Sequence, residues 1–306
     1  MRVVPYAALL AAAALWGANP ALGRLIGPFV PPLTLSWLRW LLALCVLTPF
    51  AWRERRPIVA ALRERWRILV ALALLANVPQ SALVYKGLET TSAINVGLLN
   101  SSIPVLILIL GALFFARRMA PREAAGVALS LAGVAVVLVQ GSLERARALS
   151  LESGDLYAFG AMLTWALYTL LLPRRPALPL PAFVACMSAI GVALCAPLVA
   201  AEIALDRAPQ LDATVLAGVG LVALGPTLAG TLAYSYGAER VDPVRAGIFI
   251  HFMPVFASLY AIAFLGERLQ GHHLAGFALI LAGALLALGL LSSPPRRTLK
   301  TGSNHG

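Results

Sequence analysis

Apolar segments of about 20 residues, separated by short polar loops, follow one another along almost the whole chain. A helix of that length spans the hydrocarbon core of a bilayer, because each residue adds about 1.5 Å. The ten segments lie near residues 4–24, 33–52, 68–88, 92–115, 122–140, 154–173, 181–201, 214–237, 243–265 and 271–291. The sequence therefore predicts an all-α polytopic membrane protein with ten transmembrane helices.

The composition excludes several other classes of protein. Hydrophobic residues make up 60% of the 306 positions and charged residues 12%, whereas soluble domains have about 45–50% and about 25%. An outer-membrane barrel would need polar residues at its lumen-facing positions. The sequence also has no HExxH motif, no phosphate-binding glycine loop and no cysteines at metal-ligand spacing. We therefore expect no enzyme activity, no cofactor and no metal site.

The net charge of +11 is distributed unevenly between alternate loops. With a cytoplasmic N-terminus, 17 of the 24 Lys and Arg residues lie on the cytoplasmic side and 6 on the opposite side. Basic residues accumulate in cytoplasmic loops, so this bias predicts that both termini are cytoplasmic. No basic run is interleaved with aromatic residues, as base stacking would require. The predicted partners are therefore the lipid bilayer and a small-molecule solute, not nucleic acid, in the inner (plasma) membrane of a bacterium.

A repeat becomes visible when the sequence is compared with itself at an offset of about 150 residues. Matched pairs include Gly87 and Gly237, Glu89 and Glu239, Gly97 and Gly247, Pro104 and Pro254, Phe114 and Phe264, Gly126 and Gly276, and Gly133 and Gly283. Each copy holds five segments, and this odd number forces the second copy to enter the membrane from the opposite face.

We therefore predict two inverted five-helix repeats, at residues 1–141 and 154–291. An external linker at 142–153 joins them, and a disordered cytoplasmic tail follows at 292–306. Inverted repeats are typical of transporters whose two halves rock about a site at the bilayer midplane.

Several short motifs resemble the EamA-type branch of the drug/metabolite transporter superfamily. They are Trp16-Gly17-Ala18-Asn19-Pro20, Leu38-Arg39, Thr91-Ser92-Ala93 ahead of Pro104, and Pro254 ahead of Gly266-Glu267-Arg268-Leu269. The resemblance covers residues 4–291. It implies ten helices around a central cavity and transport of small organic solutes, in bacteria often efflux of amino acids or metabolites. One position departs from the family pattern, since the counterpart of Glu267 in the first repeat is Arg117.

Four prolines lie within the predicted helices at corresponding depths of the two repeats. Pro104 and Pro254 lie in the fourth helix of each repeat, and Pro79 and Pro226 lie in the third. Proline removes a backbone hydrogen bond and kinks a helix, and matched interruptions in two repeats point to a transport site. Such prolines alternatively serve only to shape helix packing. We interpret the four as hinge or gating residues.

Polar and aromatic residues within the helices are candidate ligands of the solute, because a polar group that faces lipid is costly. The candidates are Trp16, Asn19, Arg39, Asn77, Gln80, Tyr85, Asn100, Ser101, Trp165, Tyr168, Tyr234 and His251. Each of them alone is also compatible with a hydrogen bond between helices.

Arg39 and His251 are the candidates with a charge or a titratable ring. Arg39 either binds a solute carboxylate or holds helices together through an ion pair or a backbone carbonyl. His251 either carries a proton, bonds to the solute or satisfies a neighbouring helix. Because no acidic residue lies in the middle of a predicted helix, the sequence favours a facilitator or a histidine-linked antiporter.

Small residues form stripes on the fifth helix of each repeat. They are Gly126, Ser130 and Gly133 in the first repeat and Gly276, Gly283 and Ala287 in the second. Such stripes let helices approach closely, either within one chain or across a dimer. The sequence leaves a monomer and a homodimer open.

These features together predict an inner-membrane exporter of small organic solutes, with amino acids or related metabolites ranked first, that works by alternating access. The alternatives are a transporter of drugs, sugars or nucleotide-type solutes from the same superfamily, and a membrane scaffold that transports nothing. A channel is disfavoured because the sequence has no filter-like repeat and no ring of charge.

Overall fold

A computed structural model of the chain describes residues 3–114, 119–142, 144, 152–205, 208–238, 240–241, 249–250 and 252–287. The helices in these ranges are α1 (Val3–Ile26), α2 (Pro32–Arg53), α3 (Arg55–Ala76), α4 (Val78–Gly87), α5 (Ala93–Asn100), α6 (Ile103–Phe114), α7 (Pro121–Leu138), α8 (Ser153–Leu171), α9 (Leu180–Ala204), α10 (Ala213–Val222), α11 (Gly230–Ala238), α12 (Met253–Leu265) and α13 (Gly271–Ala287). A 3₁₀ turn (Leu172–Arg174) follows α8, and a π-helical segment (Ala223–Ala229) joins α10 to α11. The predicted tail and most of the predicted linker lie outside the described residues.

Each of the ten predicted segments contains at least one of these helices. Seven described helices, with α3–α4 and α10–α11 each counted once, are long and apolar enough to cross a membrane. An eighth results when the bent pair α5 and α6 is counted as one span, while α12 and α13 are apolar but shorter. The fold is therefore that of an all-helical, polytopic membrane protein.

The prediction of a loop between the second and third segments is wrong. The chain is helical from Arg55, and a kink at Arg65, where φ is −131°, separates this early part from the rest of α3, which begins near the predicted residue 68. One face of this early part is apolar: Ala61 is buried, and Leu62 packs against a cluster that includes Leu178 and Phe183. The arginines of the same stretch are exposed. An amphipathic pattern thus allows a highly charged stretch to remain helical.

The fourth predicted segment is broken rather than continuous. α5 ends at Asn100, and α6 leaves it at an angle of 49°. The hydroxyl of Ser102 donates to the carbonyl oxygen of Leu99 at 2.7 Å, and Pro104 has no N–H to donate. Local side-chain bonding of this kind competes with the helical ladder, so the helix changes direction here.

All four predicted hinge prolines lie at interruptions of this sort. Pro79, Pro104 and Pro254 lie in the first turns of α4, α6 and α12, and Pro226 lies in the π-helical segment. In that segment the hydroxyl of Thr227 donates to the carbonyl oxygen of Val222 at 2.9 Å. The four prolines therefore lie where the backbone hydrogen bonding of a helix is interrupted. Their role in gating stays a prediction.

Two pairs of helices that the sequence repeat relates to one another pack together, α2 on α9 and α7 on α13. α5 of the first repeat also lies on α12 of the second. At the α7–α13 contact, a Cβ atom added to Gly126 would lie 2.5 Å from the carbonyl oxygen of Gly283, and one added to Gly133 would lie 2.7 Å from that of Gly276. The glycine stripes are therefore used for packing within the chain. The oligomeric state of the protein stays a prediction.

Candidate functional site

A polar cluster surrounds a buried arginine where α1, α2 and α4 meet. Arg39 of α2 is only 8% exposed. Its Nη1 atom donates to Oδ1 of Asn19 at 3.1 Å and to the hydroxyl of Tyr85 at 2.6 Å. The Tyr85 hydroxyl in turn donates to Oδ1 of Asn19 at 3.0 Å. Three residues that the sequence singles out one by one thus form a closed triangle of hydrogen bonds.

The guanidinium of Arg39 has no carboxylate partner among the described residues. An ion pair in that part of the chain joins Lys86 to Glu89 and does not involve Arg39. Nε of Arg39 is buried and unbonded, and Nη2 donates to none of the described residues. Neither the ion pair nor the carbonyl contact considered from the sequence is formed within the described ranges.

Two aromatic rings lie beside the guanidinium of Arg39, but they do not neutralise its charge. The guanidinium carbon of Arg39 lies 5.3 Å from the ring centroid of Trp40 and 5.8 Å from that of Tyr85. Nε1 of Trp40 donates to the hydroxyl of Ser81 at 3.4 Å, and this hydroxyl donates to Oε1 of Gln80 at 3.4 Å. The predicted ligand Gln80 is therefore connected to the cluster through Trp40.

The aromatic candidates Trp16 and Tyr234 extend the same region toward the second repeat. Trp16 lies three residues before Asn19 on α1, and its ring packs against Tyr234 of α11 with centroids 5.1 Å apart. Both rings are half-buried. Gly230 lies so close that an added Cβ would be 2.8 Å from Nε1 of Trp16, so a glycine is what lets this ring sit against α11.

Other predicted ligands lie outside this region. The rings of Trp165 and Tyr168 are in contact at a tilt of 42°, with centroids 5.1 Å apart, and pack against an apolar cluster of α3 and α9 that includes Leu69 and Phe183. Asn77 is buried beside Gly191 of α9. The structure places these residues in helix packing rather than at the arginine.

The break between α5 and α6 holds two further candidates. Nδ2 of Asn100 donates to the carbonyl oxygen of Val96 in its own helix at 3.1 Å. The hydroxyl of Ser101 is buried and has no partner. His251, the titratable candidate, lies outside the described residues.

Three carboxylates to which the sequence assigned no role bind the starts of helices at one end of the molecule. We call this region, defined by Asp155, Glu202 and Glu267, the carboxylate end. Oε1 and Oε2 of Glu202 accept from the amides of Leu33 and Thr34, at 3.2 and 2.8 Å, where α2 begins. Helix N-termini carry partial positive charge and unsatisfied N–H groups, which makes carboxylates suitable partners.

Glu267 acts in the same way on α5. Its two oxygens accept from the amides of Ala93 and Ile94 at 2.8 and 3.0 Å. Asp155, which is fully buried, accepts from the hydroxyl of Thr91 and from the side-chain Nδ2 of Asn95. The sequence shows that each of these carboxylates lies at the end of a predicted helix. It does not show which helix N-terminus each one binds, because that depends on the tertiary fold.

A buried polar site between the helices of a many-span membrane protein is typical of transporters. Residues 4–139 and 152–289 both match the EamA-like transporter family. Since these two ranges cover most of the chain, the protein belongs to the EamA-like transporter family. The family and the names of its relatives indicate that it is a transporter.

Proteins from several bacteria are similar over nearly the full length of the chain. The uncharacterized transporter YyaM of Bacillus subtilis is 24% identical over 277 residues, which is 89% of each chain. A protein of Salmonella typhimurium named "Probable amino-acid metabolite efflux pump" is 26% identical over 93% of this chain and 94% of its own. A protein of Escherichia coli with the same name is 26% identical over 94% of this chain and 95% of its own.

A solved crystal structure has the same overall fold. It superposes with a TM-score of 0.62 at 22% identity and covers 94% of this chain and 96% of its own.

Proposed function

We propose that this protein exports amino acids or related carboxylate-bearing metabolites across the bacterial inner membrane by alternating access. The observation that carries the proposal is the unpaired edge of Arg39, which is formed by Nε and Nη2, within a cluster where three helices meet. The names of the Salmonella and Escherichia coli relatives support the same solute class and direction.

The physical argument begins with the cost of a buried charge. A guanidinium stays protonated in proteins, and a charge in a helical membrane segment is costly unless it is paired. The hydrogen bonds to Asn19 and Tyr85 and the nearby rings offset part of that cost. These contacts leave free the edge formed by Nε and Nη2, through which an arginine can donate two parallel hydrogen bonds to a carboxylate. A solute carboxylate would therefore supply the missing counter-ion.

The proposed topology has ten helices in two inverted repeats, with both termini in the cytoplasm. Contacts between loops that the charge count places outside support it. Nη1 of Arg24 donates to the carbonyl oxygen of Leu88 at 2.6 Å, and the amide of Gln210 donates to that of Phe29 at 2.8 Å. The carboxylate end is then the outer end, and the arginines near the start of α3 face the cytoplasm.

Competition in proteoliposomes tests the solute class. Purified protein is reconstituted, and uptake of a labelled amino acid is challenged with the unlabelled acid, its amide and its decarboxylated amine. We expect the acid to compete and the other two to compete at least tenfold less, because they cannot form the paired bonds to Arg39. Equal competition by all three would contradict the carboxylate assignment.

Substitution of the arginine completes the test. Arg39→Gln should lower uptake of the acid by about tenfold or more, and Arg39→Lys should recover little of it, because an ammonium lacks the planar fork. Arg55→Gln is the matched control, since that arginine is exposed and should retain normal uptake. Full activity of Arg39→Gln would remove the ligand role.

A further inference from the structure

Exposed arginines are concentrated between the end of α2 and the kink of α3. We call them the basic surface, which consists of Arg53, Arg56, Arg63, Arg65 and Arg67. Two glutamates, Glu54 and Glu64, lie in the same stretch of sequence. None of the five guanidiniums forms a hydrogen bond or an ion pair with the residues that the structure describes. The basic surface therefore carries a net positive charge that the described part of the chain does not neutralise.

Two exposed tryptophans lie at the two ends of the basic surface. Trp52 is 67% exposed and Trp66 is 54% exposed. The guanidinium carbons of Arg55 and Arg67 lie 5.5 Å from the ring centroids of Trp52 and Trp66, respectively. Arg55 also donates to the carbonyl oxygen of Trp52 at 3.2 Å and is not counted in the basic surface. Because tryptophan rings concentrate at the headgroup level of a bilayer, these two rings place the basic surface at the interface between membrane and water.

The length of the helix indicates the same depth. The apolar span that α3 and α4 form together runs from Arg55 to Gly87 and has 33 residues. At about 1.5 Å per residue it is about 50 Å long, whereas the hydrocarbon core is about 30 Å thick. The kink at Arg65 lies close to where the surplus length ends. The early part of α3 therefore lies in the headgroup region and not in the hydrocarbon.

The early part of α3 is held in place from one side. Ala61 and Leu62 belong to the apolar cluster that α9 completes. Arg56 and Arg63 are seven residues apart, which is close to two helical turns, so they lie on one face with Ala60 between them. This face is opposite to the packed one. The packing therefore presents the guanidiniums in a fixed direction, away from the rest of the protein.

We propose that the basic surface binds the phosphate groups of anionic phospholipids, such as phosphatidylglycerol, in the adjoining leaflet. Arginine stays protonated and donates paired hydrogen bonds to phosphate oxygens. Each basic residue close to an anionic bilayer surface adds to the attraction. In the proposed topology the leaflet is the cytoplasmic one. Lipid binding at this surface does not depend on the transport role of Arg39.

A fluorescent dye within the basic surface tests which lipid collects there. An Ala60→Cys variant on a Cys45→Ser background takes a maleimide dye, since Cys186 and Cys195 are buried. The full-length protein is reconstituted in phosphatidylcholine vesicles that contain increasing fractions of either phosphatidylglycerol or phosphatidylcholine with a nitroxide near the headgroup. We expect half-maximal quenching of the dye at a fraction of labelled phosphatidylglycerol at least tenfold below that of labelled phosphatidylcholine, whose headgroup is neutral overall.

Removal of one charge shows whether the arginines cause this preference. Arg63→Gln should raise the half-quenching fraction of labelled phosphatidylglycerol about fivefold, and because Arg63 is exposed the change should not affect folding. Arg268→Gln is the matched control at an exposed arginine of the loop before α13 and should leave the fraction unchanged. Equal quenching by the two lipids, or an unchanged fraction in Arg63→Gln, would overturn the proposal. Neither result would affect the uptake assays at Arg39.

Discussion

At the scale of single residues, the direction in which Arg39 points depends on two neutral partners. Asn19 and Tyr85 both bond to Nη1 and to each other, so they fix one edge of the guanidinium and leave the other edge free. Tyr85 is 3% exposed, and its position is itself constrained by Gly23, where an added Cβ would lie 2.7 Å from the Tyr85 ring. In the proposed function these are positioning residues, and the arginine is the ligand.

Tyr85→Phe removes the hydroxyl and keeps the ring. We expect the KM for a carboxylate solute to rise about fivefold with little change in maximal rate, because one hydrogen bond that orients Arg39 is lost. Uptake kinetics in proteoliposomes measure both quantities. Tyr157→Phe is the matched control, since Tyr157 is 41% exposed. An unchanged KM in Tyr85→Phe would argue that the hydroxyl does not orient the arginine.

At the scale of helices, the two repeats are joined by close glycine contacts and by carboxylates at helix ends. The α7–α13 contact is built on Gly126, Gly133, Gly276 and Gly283, which allow backbone atoms to meet. Close approach of this kind is a main source of helix association where lipid removes the hydrophobic driving force. The contact is tight along its length, which suits a part of the molecule that stays fixed while other helices move.

A pair of alanine substitutions separates tight packing from helix propensity. Gly126→Ala should lower the thermal denaturation temperature in detergent, because overpacking costs about 1–3 kcal/mol. Gly160→Ala should leave it unchanged or raise it slightly, since nothing lies within 4 Å of a Cβ at that position and alanine favours helix by about 1 kcal/mol. Equal effects of the two changes would show that the α7–α13 contact is looser than the structure indicates.

At the carboxylate end, Glu267 connects the loop before α13 to the first residues of α5, and we call this contact the latch. The equivalent position of the first repeat has no carboxylate. Glu267 holds the start of α5, whereas its counterpart in the first repeat is Arg117. Loss of the latch should favour opening at this end, because α5 would lose two charge-assisted bonds. The asymmetry predicts a resting state that is closed at the carboxylate end.

Maleimide labelling of a Ser101→Cys variant measures that opening. Ser101 is 4% exposed, so the engineered thiol should react slowly in the resting protein. Adding Glu267→Ala should raise the labelling rate severalfold with an impermeant reagent applied from outside. Glu64→Ala, at an exposed glutamate of α3, should not change it. Equal rates with and without Glu267 would show that this carboxylate does not control access.

At the scale of the whole molecule, the features of the fold that depend on local sequence pattern are predictable from the sequence. Hydrophobic runs locate helices in all ten segments, and the prolines locate the interruptions. The search for apolar runs missed the early part of α3, because the apolar face around Ala61 is covered by residues distant in the chain, including Phe183 of α9.

The sequence predicts the candidate site only in part, for the same reason. Asn19, Arg39 and Tyr85 were each identifiable as polar residues within apolar helices, yet nothing local shows that they meet. Trp165 and Tyr168 are likewise aromatic residues with polar atoms within apolar helices, but they pack against an apolar cluster and not at Arg39. The helix N-termini bound by Glu202 and Glu267 are 169 and 174 residues away in the chain, a separation that no motif encodes.

Solute counterflow in proteoliposomes tests the central claim of alternating access most directly. Vesicles preloaded with an unlabelled amino acid take up the labelled one from a dilute outer solution, and vesicles without preload serve as the reference. Two halves that expose one site alternately predict faster, transiently concentrative uptake after preloading, with saturation as the outer concentration rises. Uptake that is linear in concentration and indifferent to preloading would contradict the mechanism.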